Sequence, residues 1–377
     1  MHELTHYLRD RFNYPHIGVF LLALLAADLL TPLVIRLAFR IRAVDRPHSY
    51  KIHRSPVPFL GGVAIYAAFA TGLFTLFRFP DLRSKIEVFG ILGGGLFVLV
   101  LGLIDGYRPI SAVYKLLLII GVTALLSNEP FNIHLTLFGG EANAANFVLT
   151  VLWIAGVTSA ANSLDNMDGA CSGTAMIAAL SIFAIAWTSV QEQLSYMAAG
   201  LFGATLGFLR YNFLQRPARI FLGDNGSFLL GFLLAAMTVQ GTWAQEDPLK
   251  GILVPCSILC VPLYDITLST WLRWRNGVVK GIREAILYCG RDHLAHRLTA
   301  IGFGPRQAVC VLYAMGFGGG AVAFVIAQPG VGPGIYLPIV GLSVLLLVIL
   351  GAILNRAPVY RDREKWEPKG EPEEKRP

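Results

Sequence analysis

Two carboxylates and an amide recur at helical spacing in the segment NSLDNMDG. Asn162, Asp165 and Asp168 are three residues apart, so successive members are neighbours on one helix face. Like charges at this spacing repel, and both stay ionised only beside a cation or several hydrogen-bond donors. The set suits a hard, oxygen-seeking ion such as Mg²⁺, or hydrogen bonds to a base and a ribose. A capped helix end is the simpler alternative.

Another carboxylate, Asp224, lies between Gly223 and Gly226 in the run PARIFLGDNGSFLLG, just before an apolar helix. The glycines let the backbone approach a ligand closely, and the helix start offers free N–H groups to an anion. A carboxylate suits anion binding there only if a metal lies between the two. Asp224 is therefore a candidate metal ligand, with a capped Gly-Asp turn as the alternative.

Three further segments carry polar side chains. Asp105 ends an apolar segment in GLIDGYRPISAVYK, where a lone Asp is commonly a helix cap. Lys51 and His53 lie in the loop DRPHSYKIHRSPVPFLGG and can donate to phosphate oxygens, or form a basic membrane anchor. In GRDHLAHRL, His293 and His296 have metal-ligand spacing, but the neighbouring arginines favour phosphate; the alternative there is a solvated amphipathic loop.

The elements that must position these residues are apolar helices. The 377 residues are 55% hydrophobic and only 15% charged, against about a quarter charged in soluble domains. A membrane span needs about 20 apolar residues. We therefore predict an all-α polytopic membrane protein with about eleven transmembrane helices, in a single domain over residues 1–355, followed by a charged, disordered tail over 356–377. The predicted spans are approximately 17–39, 59–79, 86–104, 111–127, 147–164, 170–190, 195–212, 225–242, 250–272, 307–327 and 335–355.

The loop charges predict the orientation. With the N-terminus outside, the inner segments hold 22 Lys and Arg residues and the outer segments hold four. The C-terminus and all the polar segments then lie on the cytoplasmic side of the plasma membrane. The net charge of +7 is explained by this topology without nucleic acid as a partner. Carboxylates for a divalent cation, with His, Lys and Arg for phosphates, together describe a phosphoryl-transfer site.

The order of the motifs DRPHSYKIHRSPVPFLGG, GLIDG, NSLDNMDG, PARIFLGDNGSFLLGF, VPLYD and RDHLAHRL resembles a known family over approximately residues 31–302. It is similar to the polyprenyl-phosphate N-acetylhexosamine-1-phosphate transferases, the WecA/TagO-like branch of glycosyltransferase family 4. The resemblance implies transfer of a sugar 1-phosphate, such as GlcNAc 1-phosphate, from a UDP-N-acetylhexosamine to undecaprenyl phosphate. UMP is released, and Mg²⁺ or Mn²⁺ is the implied cofactor. Membrane lipid is a further partner, and a homodimer is one option.

The resemblance also implies residue roles by matched position. Asp105 resembles the first member of an Asp-Asp pair that deprotonates or orients the lipid phosphate, and Phe221 matches an aromatic residue that stacks on the base. The implied catalytic residues are Asp105, Asp165, Asp168, His293 and His296. The implied substrate-binding residues are Lys51, His53, Asn162, Phe221 and Arg297, and the implied metal ligands are Asp224 and Asp165.

Two positions depart from this pattern: Gly106 stands where the second Asp is usual, and Ala295 where a further His is usual. They leave altered sugar choice, slow turnover or a non-catalytic relative open. The muramoyl-pentapeptide branch is another alternative. A transporter would need charges near helix centres and paired broken helices. Asp28 and Arg36 are the candidates for such charges, and we expect them to pair with neighbours or to lie near an interface.

Overall fold

The computed structural model describes residues 15–46, 55–74, 82–131, 133, 135, 144–243, 247–281, 284–285, 288 and 290–360. Almost all regular structure in these ranges is helical. The helices are α1 (Pro15–Arg40), α2 (Gly61–Phe74), α3 (Leu82–Tyr107), α4 (Ala112–Leu126), α5 (Ala144–Leu164), α6 (Ala170–Thr188), α7 (Glu192–Leu209), α8 (Gly223–Gln240), α9 (Pro248–Ile258), α10 (Cys260–Arg275), α11 (Leu294–Ala300), α12 (Pro305–Ala327) and α13 (Pro333–Leu354).

Every predicted span coincides with a helix or, in one case, with a bent pair. By length and composition, six described helices can cross a membrane, or seven if α9 and α10 count as one span; α2 and α4 are shorter apolar helices. The chain is therefore an all-α multi-pass membrane protein, and the count of eleven spans stays a prediction.

The bent pair has a local cause. The axes of α9 and α10 meet at 81°. Pro262 lies in the first turn of α10 and has no N–H to donate to the carbonyl four residues earlier, so a continuous helix is interrupted at Leu259. The bend sets α10 on its own course, and α10 carries Asp265 and Arg273.

Helix α8 forms the centre of the bundle. All its residues from Asn225 to Val239 are buried, and it packs against α2, α3 and α5. Close approach depends on small residues, as is usual between membrane helices. A Cβ on Gly102 of α3 would meet the Asn225 backbone. The first turn of α8 is thereby held among the ends of its neighbours.

A small antiparallel ribbon joins this helix start to the loop before α2. Strand β1 (Val44–Asp45) pairs with β2 (Val57–Pro58). The Phe221 N–H donates to the Pro58 carbonyl at 2.8 Å, and the Gly61 N–H donates to the Phe221 carbonyl at 3.2 Å. The chain before α8 therefore runs beside β2.

The charged residue Asp28 of α1 has a partner. Arg210 Nη1 lies 2.8 and 2.9 Å from its two carboxylate oxygens, and the Tyr211 hydroxyl donates to its backbone carbonyl at 3.1 Å. Arg210 opens a π-helical turn, Arg210–Leu214, that continues α7. The predicted pairing of Asp28 with a neighbour is confirmed.

Candidate active site

The buried amide of Asn225 fixes the start of α8. Its Oδ1 accepts from the Gly62 N–H at 2.8 Å, and its Nδ2 donates to the Phe59 carbonyl at 2.6 Å. Gly223 has a φ of +71°, and a Cβ there would strike the Phe59 carbonyl. These contacts lock the loop before α2 against the first turn of α8, and so set the direction of Asp224.

Asp105, at the end of α3, is both a turn cap and a member of the site. Its Oδ1 accepts from the Ile110 N–H at 2.7 Å, and its Oδ2 lies 2.6 Å from Lys115 Nζ. The residue is 7% exposed. Its carboxyl group also contacts that of Asp224. Asp105 therefore caps a turn, as the alternative interpretation predicted, and it also lies beside a second acid, Asp224.

Asp165 follows the last residue of α5 and joins the other acids. Its carboxylate lies near the Gly223 backbone and interacts electrostatically with both Asp224 and Asp168. Burial, and then the charges of Asp224 and Asp168, raise the pKa of Asp165 well above its ordinary range. We call Asp105, Asp165, Asp168 and Asp224 the acid cluster. The structure brings these four predicted residues together at one end of the bundle.

The acid cluster fits a divalent ion that shares its ligands with substrate. Among the residues the structure describes, no three His, Cys, Asp or Glu side chains form a metal cage on their own. Mg²⁺ commonly takes one or two carboxylates, keeps several waters and binds substrate phosphates. Closely spaced, partly dehydrated carboxylates beside Lys115 are a donor set of that kind.

Asn162 and Phe221 flank the acid cluster. Asn162 Oδ1 accepts from the Ser227 hydroxyl at 2.6 Å, one turn into α8. The Phe221 backbone is fixed by β2, and its ring is half-buried. Phe221 thus lies next to the start of α8 along the chain, and Asn162 is joined to α8 by a direct hydrogen bond.

A second group of polar residues surrounds His293. Its Nδ1 lies 2.8 Å from Asp265 Oδ2, and its Nε2 lies 3.0 Å from Arg273 Nη2. Since Arg273 can only donate, Nε2 accepts and Nδ1 carries the proton that is donated to Asp265. The other Asp265 oxygen accepts from the Leu294 N–H at 2.5 Å. Both ring nitrogens are therefore oriented by residues of α10.

Asp292, next to His293 in the sequence, accepts further hydrogen bonds in this group. Arg273 donates to it twice, at 2.8 and 2.7 Å. Burial alone would raise the pKa of Asp292, but the Arg273 guanidinium holds it below its ordinary value. Arg297 donates to the Asp292 carbonyl at 2.6 Å and to the Tyr360 hydroxyl at 2.6 Å. We call Asp265, Arg273, Asp292, His293, Arg297 and Tyr360 the histidine network.

Arg297 and His296 are more buried than cationic side chains of a solvent-exposed phosphate-binding loop would be. Arg297 is 1% exposed, with its guanidinium turned towards protein groups. Burial, and then the charges of His293 and Arg291, lower the pKa of His296 to about 4. A neutral imidazole is therefore the form present near pH 7.

Comparison with known proteins agrees with this geometry. Residues 88–242, which include the whole acid cluster, match the family described as Glycosyl transferase family 4. Over 303 residues the chain is 32% identical to a probable undecaprenyl-phosphate N-acetylglucosaminyl 1-phosphate transferase of Bacillus subtilis, covering 79% of this chain and 81% of that relative. The chain belongs to glycosyl transferase family 4.

Other relatives of this family 4 protein act in different bacteria. One is a decaprenyl-phosphate N-acetylglucosaminephosphotransferase of Mycobacterium tuberculosis, 28% identical over 306 residues and 74% of each chain. Another is the undecaprenyl-phosphate alpha-N-acetylglucosaminyl 1-phosphate transferase of Escherichia coli, 23% identical over 285 residues and 74% of each chain. The family resemblance predicted from the motifs is confirmed.

In this family 4 protein, an aromatic ring lies beside Gly106, one of the two positions that depart from the family pattern. A Cβ on Gly106 would come within 2.8 Å of the Phe59 ring. That ring also meets Tyr107 edge-on, with centroids 5.7 Å apart. Phe59 therefore fills the space into which a second acid would extend.

The departure at Ala295 also has a local explanation. Ala295 is completely buried and belongs to an apolar cluster with Leu294, Leu298 and Ala308. A histidine there would have to enter this cluster. The same cluster contains Leu164, next to Asp165 in sequence, so the apolar packing that supports the histidine network also supports the end of α5.

Several residues of this family 4 site were missed or could not be placed. Lys51 and His53 lie outside the described residues. Asp265 carries charge inside a predicted span, which is the usual signal of a functional polar residue in a membrane helix, and Arg273 directly follows the end of that span. Lys115 had a weaker signal, being a cation one turn into an apolar helix. Nothing in the local sequence pointed to Tyr360.

Proposed function

We propose that the protein transfers N-acetylglucosamine 1-phosphate from UDP-N-acetylglucosamine to a polyprenyl phosphate, with release of UMP. The observation that carries this proposal is the grouping of interacting acids, Asp105 and Asp165 with Asp224, at one end of a membrane bundle. The activities for which the bacterial relatives are named support the same donor sugar and the same class of lipid acceptor.

In the proposed reaction, an oxygen of the lipid phosphate attacks the phosphorus attached to the sugar. A new P–O bond forms, the bond to the uridylate oxygen breaks, and UMP leaves with that electron pair. A phosphate monoester is already largely ionised near neutral pH. Positioning and charge screening therefore matter more than removal of a proton.

The chain's own residues have distinct parts in this proposal. Asp224 and Asp165 hold Mg²⁺, which when bound screens the phosphate charges. Asp105, fixed by the Ile110 N–H, orients the lipid phosphate, and Lys115 offsets the negative charge around it. Asn162, Asp168 and Phe221 contact the nucleotide.

The proposed site faces the cytoplasm, with the N-terminus outside. The distribution of Lys and Arg over the loops supports this orientation. It gives the soluble sugar nucleotide access from the cytosol and the acceptor access from the bilayer.

The test is UMP release by purified protein with undecaprenyl phosphate, Mg²⁺ and a panel of UDP sugars that includes UDP-GlcNAc and UDP-MurNAc-pentapeptide. We expect activity with UDP-GlcNAc. Turnover with the pentapeptide donor alone would instead support the muramoyl branch. Absence of UMP with every donor would contradict the proposed function and favour a non-catalytic relative.

A further inference from the structure

The segment that follows α13 returns to the bundle. Backbone bonds at Asn355, Arg356 and Ala357 continue the turns beyond the helix end, at 2.9, 3.1 and 3.1 Å. Ala357 is buried, and Leu354 belongs to the apolar cluster that also holds residues of α11. These contacts bring Tyr360 to the loop that contains His293.

Both hydrogen-bonding functions of the Tyr360 hydroxyl are used. It donates to Asp292 Oδ2 at 2.9 Å and accepts from Arg297 Nη2 at 2.6 Å. The Arg297 guanidinium also lies over its ring, 5.0 Å from the centroid. A phenylalanine at this position would keep the ring but leave a buried guanidinium N–H without this acceptor.

From Tyr360, a chain of direct contacts leads to the imidazole. Asp292 accepts from Tyr360 and from Arg273, and Arg273 contacts His293 Nε2. Asp265 holds the other ring nitrogen. Without the tyrosine hydroxyl, the Asp292 carboxylate loses one of its donors. Because Asp292 positions the Arg273 guanidinium, a restraint on the His293 ring is lost as well.

We propose that Tyr360 is a positioning residue for His293, and that residues 355–360 are a structural part of the transferase site. Here the His293 side chain acts on the substrate, so the effect on turnover rests on the proposed function. The effect on the loop geometry does not.

The decisive pair of variants is Tyr360→Phe and Tyr336→Phe. Tyr336 is a matched control because its hydroxyl also donates to an aspartate, Asp247, at 2.5 Å, near the opposite end of α13. We expect Tyr360→Phe to lower kcat about tenfold with little change in KM for the lipid, and to stay folded with a slightly lower melting temperature, because Arg297 loses an acceptor. We expect Tyr336→Phe to keep the wild-type kcat.

Two truncated chains separate this segment from the residues after it. A chain that ends at Tyr360 should retain wild-type turnover, and a chain that ends at Val359 should lose at least as much as Tyr360→Phe. Hydrogen–deuterium exchange over residues 290–300 gives a readout that needs no activity. We expect faster exchange there in Tyr360→Phe and in the chain ending at Val359.

The outcomes are distinguishable from failure of the proposed function. If the wild type releases no UMP, that function is wrong, and the exchange data still decide whether Tyr360 orders the loop. Wild-type kcat together with wild-type exchange in Tyr360→Phe would overturn the positioning role. Faster exchange with unchanged kcat in an active enzyme would overturn its link to His293.

Discussion

Lys115 Nζ lies 2.6 Å from Asp105 Oδ2 and 5.6 Å from the centre of the Phe228 ring in the second turn of α8. The lysine therefore connects α4, the end of α3 and the central helix. It is a cation held beside Asp105, which itself contacts Asp224.

Replacing this lysine tests its role in charge balance. We expect Lys115→Met to lower kcat/KM about a hundredfold, because negative charge would gather in the site with one cation fewer. Lys115→Arg should restore part of the loss. Lys250→Met is the matched control, since Lys250 Nζ donates to the Gln328 carbonyl at 3.2 Å outside the acid cluster. Equal activity of Lys115→Met and the wild type would remove Lys115 from the site.

The Phe59 ring over Gly106 predicts a non-additive pair. Gly106→Asp alone should lower the melting temperature and the activity, because the new Cβ would lie 2.8 Å from the ring. Combining it with Phe59→Ala should recover stability relative to the sum of the single changes. Thermal unfolding and UMP release of all four proteins measure the coupling. Strict additivity would show that the ring does not limit position 106.

Asp224 provides the test of the metal site. We expect Asp224→Asn to lose nearly all turnover while the fold is retained, because an amide cannot replace an anionic ligand of Mg²⁺. Asp247→Asn, at the start of α9, is the control and should remain active. Turnover and Mg²⁺ titration of both variants make the measurement. Wild-type turnover in Asp224→Asn would show that Asp224 does not bind the metal.

The low pKa of His296 predicts a pH effect on stability. The folded value is about 4, below the ordinary value of 6.5, so the unfolded chain binds more protons between these pH values. Stability should therefore fall as the pH drops from 6.5 towards 4. His296→Gln should flatten this part of the dependence, measured as melting temperature against pH in one detergent. A curve parallel to that of the wild type would contradict the assignment.

The sequence predicted the acid cluster well because its members lie at helix ends with local signatures. Asp165 and Asp168 are three residues apart, and Asp224 lies between glycines. The helical spans followed from the length of the apolar segments. These are local properties, and neighbouring residues suffice to reveal them.

Other parts of the site depend on long-range packing. The bond from Gly62 to Asn225 joins residues 163 positions apart, and that from Tyr360 to Asp292 joins residues 68 apart. The sequence could not show that Arg297 is buried while Arg291 is exposed. Its predicted role as a direct substrate ligand stays untested, as do the roles of Lys51 and His53.

Helix α13 is attached to the rest of the bundle at its start and in its second half. Tyr336 and Leu354 are its buried residues, and Tyr264 binds the Leu347 carbonyl at 2.8 Å. The helix is thus held at Tyr336 near its start and at Leu347 and Leu354 in its second half, while the residues from 337 to 346 are exposed or half-buried. A thicker or thinner bilayer would strain those contacts, and the contact at Leu354 adjoins the segment that carries Tyr360.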